Sequence, residues 1–155
     1  MEKAIKYGIN VPHFGDYWNP IVLAELAHDA EDAGWDGFFL WDHISGVRDW
    51  RVPVGDSLVP IAYAPFADPW IVLAAVAVET KCIRIGALVT PLARRRPWKL
   101  ARETVSLDHL SGGRVIVGVG LGGQPREFTD FGEDGDAKVR AEKLDEGLDV
   151  LTGLW

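Results

Sequence analysis

The fold is decided by residues 30–43, which read Ala-Glu-Asp-Ala-Gly-Trp-Asp-Gly-Phe-Phe-Leu-Trp-Asp-His. Apolar residues before and within this stretch recur at helical spacing, and Gly34 stands where a left-handed residue ends a helix. Residues 37–41 then form a continuous apolar run, which is typical of a strand buried on both faces of a parallel sheet. The stretch therefore predicts a tight turn from a helix into a buried parallel strand, with Asp42 and His43 at the strand's C-terminal end.

The same arrangement of strand and helix recurs along the chain. Asn19 before Pro20 and Asp68 before Pro69 are typical of helix N-caps followed by proline at the first helical position. The pattern predicts strands at residues 4–11, 37–41, 83–89 and 114–119, and helices at residues 20–33, 69–78 and 97–110 and, after the N-cap Asp136, from Ala137 almost to the C-terminus. Four successive strand–helix units predict an α/β fold with a parallel sheet and right-handed crossovers.

Composition and charge favour one globular domain, residues 1–155, with no separate second domain. The 16 Lys and Arg residues against 23 Asp and Glu residues give a net charge of −7, which disfavours nucleic acid or an anionic membrane surface as a partner. The single Cys82 excludes an intrachain disulfide, and the polar N-terminal residues lack the apolar run of a signal peptide, so we expect a cytoplasmic location. The longest apolar stretch, residues 70–78, is too short to span a membrane.

Unequal connections distinguish the two ends of the predicted sheet. Helix-to-strand connections are tight turns, whereas strand-to-helix connections are long and contain the unusual residues. The longest runs from His43 to Ala67 and is rich in proline and aromatic residues, which predicts an ordered, functional loop. We therefore expect the chemistry at the C-terminal ends of the strands.

Asp42 and His43 are the strongest candidates for catalysis. At the exit of a buried strand they combine an imidazole, which exchanges protons near neutral pH, with a carboxylate that can tune it. A capping aspartate and a hydrogen-bonded structural histidine would give the same pattern. His13, in the loop after the first predicted strand, is a minor candidate for the same site.

Two further motifs could bind a ligand. Residues 118–123 read Gly-Val-Gly-Leu-Gly-Gly, the spacing of a dinucleotide-binding loop, but Pro125 follows where a helix should open and no later strand carries an acidic ribose ligand. These glycines either let a ligand approach the backbone or make a bend. Arg94, Arg95 and Arg96 precede a helix and could bind a phosphate, or form a solvated patch. The sequence has no HExxH, EF-hand or P-loop motif, so we expect no metal site.

Several longer stretches carry a family resemblance. They read AEDAGWDGFFLWDH (residues 30–43), DPW (68–70), IRIG (83–86), VTPL (89–92), LDHLSGGR (107–114), GVGLG (118–122), EF (127–128) and FG (131–132). Together they resemble the bacterial luciferase-like family of flavin-dependent monooxygenases, in the right order and over nearly the whole chain. The resemblance implies a TIM-type barrel that holds the ring of FMN or of the deazaflavin coenzyme at its strand C-terminal ends, where hydride or oxygen chemistry occurs.

The resemblance also implies roles for individual residues. Asp42 and His43 match the family's acidic residue and active-site histidine, and the histidine acts in proton transfer or hydrogen-bonds near the reactive ring. Ala87 and Leu88 stand where many members have a non-prolyl cis peptide behind the ring. Deazaflavin-dependent sugar-phosphate dehydrogenases carry a catalytic acid where this chain has Gly123, which disfavours that reaction. The ring-facing positions after the third and fourth strands are matched by Thr90, Gly120 and Gly122.

The chain has the length of half such a barrel. A complete barrel takes about 250 residues, whereas the four predicted units occupy 155. We therefore expect the N-terminal half of a TIM (β/α)8 barrel, without the late loops that bind the cofactor phosphate. Open strand edges and an uncovered inward face would invite pairing with another chain. The expectation is a homodimer, a complex with a separate second-half chain, or a truncated fragment.

Three functions are compatible with the sequence. The first is a flavin-dependent oxidoreductase or monooxygenase half that acts on a small-molecule substrate, with His43 handling a proton. The second is a non-catalytic flavin-binding or purely structural half barrel, which the missing phosphate site and Gly123 favour. The third is a flavodoxin-like electron carrier, which is disfavoured because the loop at residues 12–18 has no Ser or Thr hydroxyl for a phosphate and carries Asp16.

Overall fold

The computed structural model describes residues 5–47 and 49–155. Its elements are β1 (Gly8–Val11), α1 (Pro20–Asp32), β2 (Gly37–Leu40), β3 (Arg51–Val54), β4 (Ser57–Pro60), α2 (Pro69–Glu79), β5 (Arg84–Pro91), α3 (Pro97–Ser111), β6 (Val115–Gly120), α4 (Arg126–Thr129) and α5 (Ala137–Leu154). The first strand, predicted at residues 4–11, begins only at Gly8, and Ala4 lies outside the described residues. The other predicted elements begin and end within about two residues of their observed bounds. In the described part of the chain no helix is long and apolar enough to cross a membrane.

A four-stranded parallel sheet in the order β1-β2-β5-β6 forms the centre of the fold. The ends of neighbouring strands are aligned, since Val11 of β1 pairs with Leu40 of β2, and Leu40 pairs with Ala87 of β5. A helix lies between each pair of consecutive sheet strands along the chain. The predicted α/β fold with four parallel βα units is confirmed.

Local sequence signals set the helix ends. The N-caps Asn19, Asp68 and Asp136 each accept a backbone N–H from the first turn of their helix, at 2.8–2.9 Å. Proline follows the first two at the start of the helix, where its missing N–H costs no hydrogen bond. Gly34 has a φ of 85°, the left-handed conformation predicted for the end of α1.

The helices cover one face of the sheet. The strand side chains that point to this face alternate along the chain, and Phe38, Leu40 and Ile85 among them are fully buried. They pack against apolar stripes of the helices, which include Leu23 of α1 and Leu73 of α2. Burying each such side chain contributes about 1.5–3 kcal/mol, so this layer is the main hydrophobic core.

The opposite face of the sheet is not covered by the described elements, and we call it the open face. Gly8 and Gly37 lie on it, and the ring of Phe39 lies against both. Further along the sheet Leu88 is 46% exposed and Ile116 is 43% exposed. This face has the apolar character of a protein interior without a second layer of packing.

The described part of the long connection after β2 carries an antiparallel hairpin that the sequence analysis missed. β3 pairs with β4, and Gly55 in the turn has a φ of 57°. Pro53 and Pro60 lie within these strands, and proline argues against a strand in sequence because it cannot donate to the ladder. A two-stranded ribbon tolerates them because each strand has an edge that needs no donor. The hairpin packs into a small second core that consists of Phe14, Val52 and Ile61.

β5 is bulged near its C-terminal end. Leu88 and Val89 lie opposite Gly118 alone, so β5 has one more residue than β6 in this interval. The non-prolyl cis peptide joins Leu88 to Val89. The cis bond predicted between Ala87 and Leu88 is therefore wrong by one residue, because Ala87 still pairs regularly with β6 and the irregularity begins after it.

Candidate active site

A cleft of about 460 Å³ opens at the C-terminal ends of the strands, where the sequence predicts the chemistry. It is bounded by the ends of β1, β2 and β5, by the loop after β6 and by α4. Its lining includes the predicted residues Asp42, His43, Leu88 and Gly122, together with Trp50 and Glu127. The cleft combines apolar surface with a few polar groups, as ligand sites commonly do.

His43 lines this cleft, and its imidazole is held between two tryptophans and a carboxylate. The ring centroid lies 6.0 Å from that of Trp41 and 6.4 Å from that of Trp50, both edge to face. Nδ1 lies 3.1 Å from Oε2 of Glu127, and among the described residues Nδ1 makes the only hydrogen bonds of the ring. The side chain is 22% exposed. One nitrogen is therefore fixed, and the other has no hydrogen-bond partner among the described residues.

Glu127, in the short helix α4, is the group on which the site converges. It is 2% exposed, and its Oε1 accepts hydrogen bonds of 2.8–3.1 Å from three successive backbone N–H groups, at residues 44–46. Its Oε2 accepts a hydrogen bond of 2.9 Å from Arg94. Burial alone would raise the pKa of Glu127, but the hydrogen bonds that it accepts and the charge of Arg94 outweigh burial and lower the pKa to about 2.

Asp42 is buried at the end of β2 and is bound to two arginines. Its Oδ1 lies 2.7 Å from Arg94 and 2.9 Å from Arg95, and its Oδ2 lies 3.1 Å from Nε of Arg95. Burial alone would lower the pKa of Arg95, but the charge and hydrogen bonds of Asp42 raise it. The alternative of a solvated arginine patch is wrong for Arg94 and Arg95, because both neutralise buried carboxylates, while Arg96 is exposed.

His13 is fully buried and does not line the cleft. Its Nε2 donates to the backbone carbonyl of His43 at 3.0 Å, and its ring contacts Phe14 and Phe66 edge to face. Burial lowers the pKa of this imidazole, against the hydrogen bond to the carbonyl, which raises it. His13 therefore supports the backbone of His43 as a neutral side chain.

The remaining predicted cofactor residues surround the bulge of β5. Leu88 and Val89 are 46% and 41% exposed, and we call these two side chains the apolar ledge. Ala87 is buried in the main core. Thr90 is fully buried, and its hydroxyl has no hydrogen-bond partner among the described residues.

The glycines after β6 make room for this ledge and for a turn. A Cβ at Gly120 would lie 2.8 Å from Cγ2 of Val89. Gly122 has a φ of 82°, and a Cβ there would lie 3.0 Å from the ring of Phe128. A Cβ at Gly123 would meet only open space. Packing and backbone conformation thus account for Gly120 and Gly122, whatever ligand the cleft binds.

Comparison with known proteins gives the family. Residues 19–155 match the family model described as luciferase-like monooxygenase. The chain belongs to the luciferase-like monooxygenase family. An F420-dependent glucose-6-phosphate dehydrogenase of Amycolatopsis mediterranei is 33% identical to it over 153 residues, which are 97% of this chain and 41% of that protein.

Solved structures show the same luciferase-like fold. An F420-dependent secondary alcohol dehydrogenase in complex with an F420-acetone adduct is 26% identical, with a TM-score of 0.76 over 97% of this chain and 42% of that one. The oxygenating constituent of 3,6-diketocamphane monooxygenase from Pseudomonas putida, in complex with FMN, is 20% identical, with a TM-score of 0.75 over 96% of this chain and 39% of that one, and shows the fold alone. This luciferase-like chain spans less than half the length of these relatives, and its sheet is half of their barrel, as predicted.

Glu127 is the residue of the site that the sequence analysis missed. It was part of the family resemblance, but nothing local gave it a role, since it is 84 residues from His43 along the chain. A usable signal was the charge of the neighbouring motifs. Arg94 and Arg95 follow a buried strand, and buried arginines need buried carboxylates as partners. Asp42 supplies only one such carboxylate, so a second was to be expected, and it is Glu127.

Proposed function

We propose that this luciferase-like chain supplies half of a flavin-dependent oxidoreductase or monooxygenase, which binds reduced FMN or the deazaflavin coenzyme over the C-terminal ends of its strands. The observation that carries the proposal is the imidazole of His43, fixed at Nδ1 by a buried carboxylate and set in the same cleft as the apolar ledge. The dependence of two relatives on F420 and the FMN bound to a third support the class of cofactor.

The residues of the cleft fit the ring of such a cofactor better than its phosphate. Leu88 and Val89 offer exposed apolar side chains on which a flat ring can lie, and Gly123 leaves open space. Asn10 and His43 add polar groups to the lining. No lysine or arginine lines the cleft among the described residues. Arg94 and Arg95 line a neighbouring cleft that shares Asp42 and His43, but both are already bound to buried carboxylates. A further cation for the phosphate would therefore come from outside this half.

Each residue then has a defined task. A bound flavin or deazaflavin would supply hydride or oxygen chemistry. His43 would hold or move a proton at Nε2, the nitrogen that Glu127 does not contact, while Trp41 and Trp50 shield the ring from water. Asp42 would act as a positioning residue, because its contacts run to the arginines and hold Arg94 against Glu127.

The open face requires a second layer, and we propose four further βα units, from a second copy, from a separate second-half chain or from the rest of a longer protein of which this chain is a fragment. The chain exposes 9083 Å², whereas a compact monomer of this mass exposes about 7800 Å². The excess is of the size that one partner contributes to a stable protein interface, roughly 800 Å² or more. Closing the barrel would cover this face and pair the edge strands β1 and β6.

Cofactor titration of the assembled protein, combined with a histidine variant, tests the proposed activity. We expect quenching of FMN or deazaflavin fluorescence on binding. We expect His43→Ala to retain this binding and to lower turnover of a panel of alcohols and aldehydes by about 10²–10⁴-fold. His109→Ala, on the exposed side of α3, is the matched control and should change neither. Failure of the assembled protein to bind either cofactor, or unchanged turnover in His43→Ala, would contradict the proposal.

A non-catalytic flavin-binding or structural half barrel is the second candidate. The lack of a cation in the described lining of the cleft favours it. Gly123 also favours this candidate over a sugar-phosphate dehydrogenase, because the family resemblance puts a catalytic acid of the deazaflavin-dependent dehydrogenases at this position. In this case the cofactor could bind, but His43→Ala would leave every rate at its background value.

A further inference from the structure

We propose that Glu127 is a positioning residue that keeps the proton of neutral His43 on Nδ1 and so presents Nε2 to the cleft as a proton acceptor. Its effect on turnover rests on the proposed function. Its effect on the imidazole requires neither cofactor nor substrate, so the two can be tested separately.

The hydrogen bonds around Glu127 fix its own protonation state. Three backbone N–H groups, one nitrogen of Arg94 and Nδ1 of His43 converge on this carboxyl group, at 2.8–3.2 Å. An ionised carboxylate has acceptors only and can satisfy all of them, whereas a protonated one would direct its own hydrogen at a donor. The carboxyl group is therefore ionised in the folded protein, in agreement with its lowered pKa.

An ionised Glu127 decides which nitrogen of His43 carries the proton. Nδ1 lies 3.1 Å from Oε2 and 3.2 Å from Oε1. Both oxygens are hydrogen-bond acceptors, so Nδ1 must carry a hydrogen and donate it to them. Neutral imidazole has a single N–H, so Nε2 is then unprotonated. Trp41 and Trp50 pack edge to face on the ring and oppose the rotation that would exchange the two nitrogens.

The other charged side chains near Glu127 have partners of their own, and none of them competes with Glu127 for Nδ1 of His43. Arg94 donates through one nitrogen to Glu127 and through the other to the side chain and carbonyl of Asp42. Arg95 is bound to Asp42 as well. His13 donates to the carbonyl of His43 and holds its backbone. Glu127 thus holds the imidazole of His43 in one orientation through a hydrogen bond from Nδ1.

Nuclear magnetic resonance of the chain labelled with ¹⁵N-histidine tests this directly. Long-range ¹H–¹⁵N spectra at alkaline pH, where the imidazoles are neutral, should show a pyrrole-type Nδ1 and a pyridine-type Nε2 for His43. The signals are assigned by their loss in His43→Gln. A pyridine-type Nδ1 for His43 in the wild type would overturn the proposal, and this measurement needs no other variant to fold.

Glu127→Gln separates positioning from a purely structural role. The amide places an N–H₂ group where Oε2 was, so we expect the proton of neutral His43 to move to Nε2. Glu142→Gln, at an exposed position of α5, is the matched control and should retain the wild-type signals. A folded Glu127→Gln variant that keeps the proton on Nδ1 would overturn the proposal.

Turnover gives the link to the proposed function. In the assembled enzyme Glu127→Gln should lower kcat by about 10²–10⁴-fold and leave KM nearly unchanged, because the imidazole then presents the wrong nitrogen. A protein with the expected imidazole signals but without cofactor binding would contradict the proposed function and leave the positioning of His43 intact. An enzyme in which Glu127→Gln keeps its kcat would contradict the role of positioning in turnover.

Discussion

Glu127 stabilises the fold only while it is ionised. Its pKa in the folded protein is about 2, below the ordinary value of 4.5, so at acid pH the unfolded chain binds the proton first. The stabilisation is fully present above about pH 4.5 and is lost as the pH falls through about 2. The shift corresponds to a free energy on the order of 3 kcal/mol, which is a large part of the stability of a small domain.

Urea unfolding at two pH values measures this contribution. At pH 7 the free energy of unfolding of the wild type should exceed that of Glu127→Gln by roughly 2–4 kcal/mol, and the difference should shrink at pH 3, because protonation weakens the wild-type contacts. Glu142→Gln should follow the wild type at both pH values, since its side chain is exposed. A difference between wild type and Glu127→Gln that does not change with pH would show that the charge of Glu127 contributes nothing.

At the scale of elements, the sequence predicted what short-range signals determine. Asn19 and Asp136 cap helices through backbone groups within the next three residues, so these helices were predicted from local spacing. The β3–β4 hairpin was missed because Pro53 and Pro60 argue against strands unless the edge that tolerates them is known. The position of the cis bond and the partner of His43 depend on pairing with β6 and α4, which are distant along the chain.

The bulge of β5 and the glycines of β6 form one packed unit, and this gives a further prediction. Gly120→Ala should lower the free energy of unfolding by about 1–3 kcal/mol, because the new Cβ would lie 2.8 Å from Cγ2 of Val89. Adding Val89→Ala should restore part of this loss, since it removes the clashing methyl groups. Gly153→Ala, in α5 with no atom near the new Cβ, is the control and should be neutral or stabilising by up to about 1 kcal/mol. Thermal or urea unfolding measures the wild type, the single variants Gly120→Ala, Val89→Ala and Gly153→Ala, and the Gly120→Ala/Val89→Ala double variant. Strictly additive effects of Gly120→Ala and Val89→Ala would contradict this packing.

In the whole molecule, a well-packed layer of helices covers one face of the sheet, whereas the open face has no such layer. Each helix that flanks the sheet buries its apolar stripe, yet Leu88 and Ile116 on the open face are nearly half exposed. The candidate site is divided in the same way. All the groups that hold His43 belong to this chain, whereas no cation that could bind a phosphate is among the described residues that line the cleft. A second set of βα units would supply both the missing layer and the missing face of the cleft.

Light scattering behind size exclusion tests whether a second copy supplies that set. If it does, the purified chain should have a discrete mass of twice 17.1 kDa, because pairing β1 of each copy with β6 of the other closes a parallel sheet of eight strands. Ile116→Lys should return the mass to that of one chain, since it places a charge inside the closed barrel but leaves it in solvent in the separate half. Ile71→Lys, at a 65% exposed position on the outer helix α2, should keep the wild-type mass. A monodisperse single chain would contradict closure by a second copy and favour a second half from a separate chain or from the rest of a longer protein. Heterogeneous aggregates would favour a fragment whose open face has no partner.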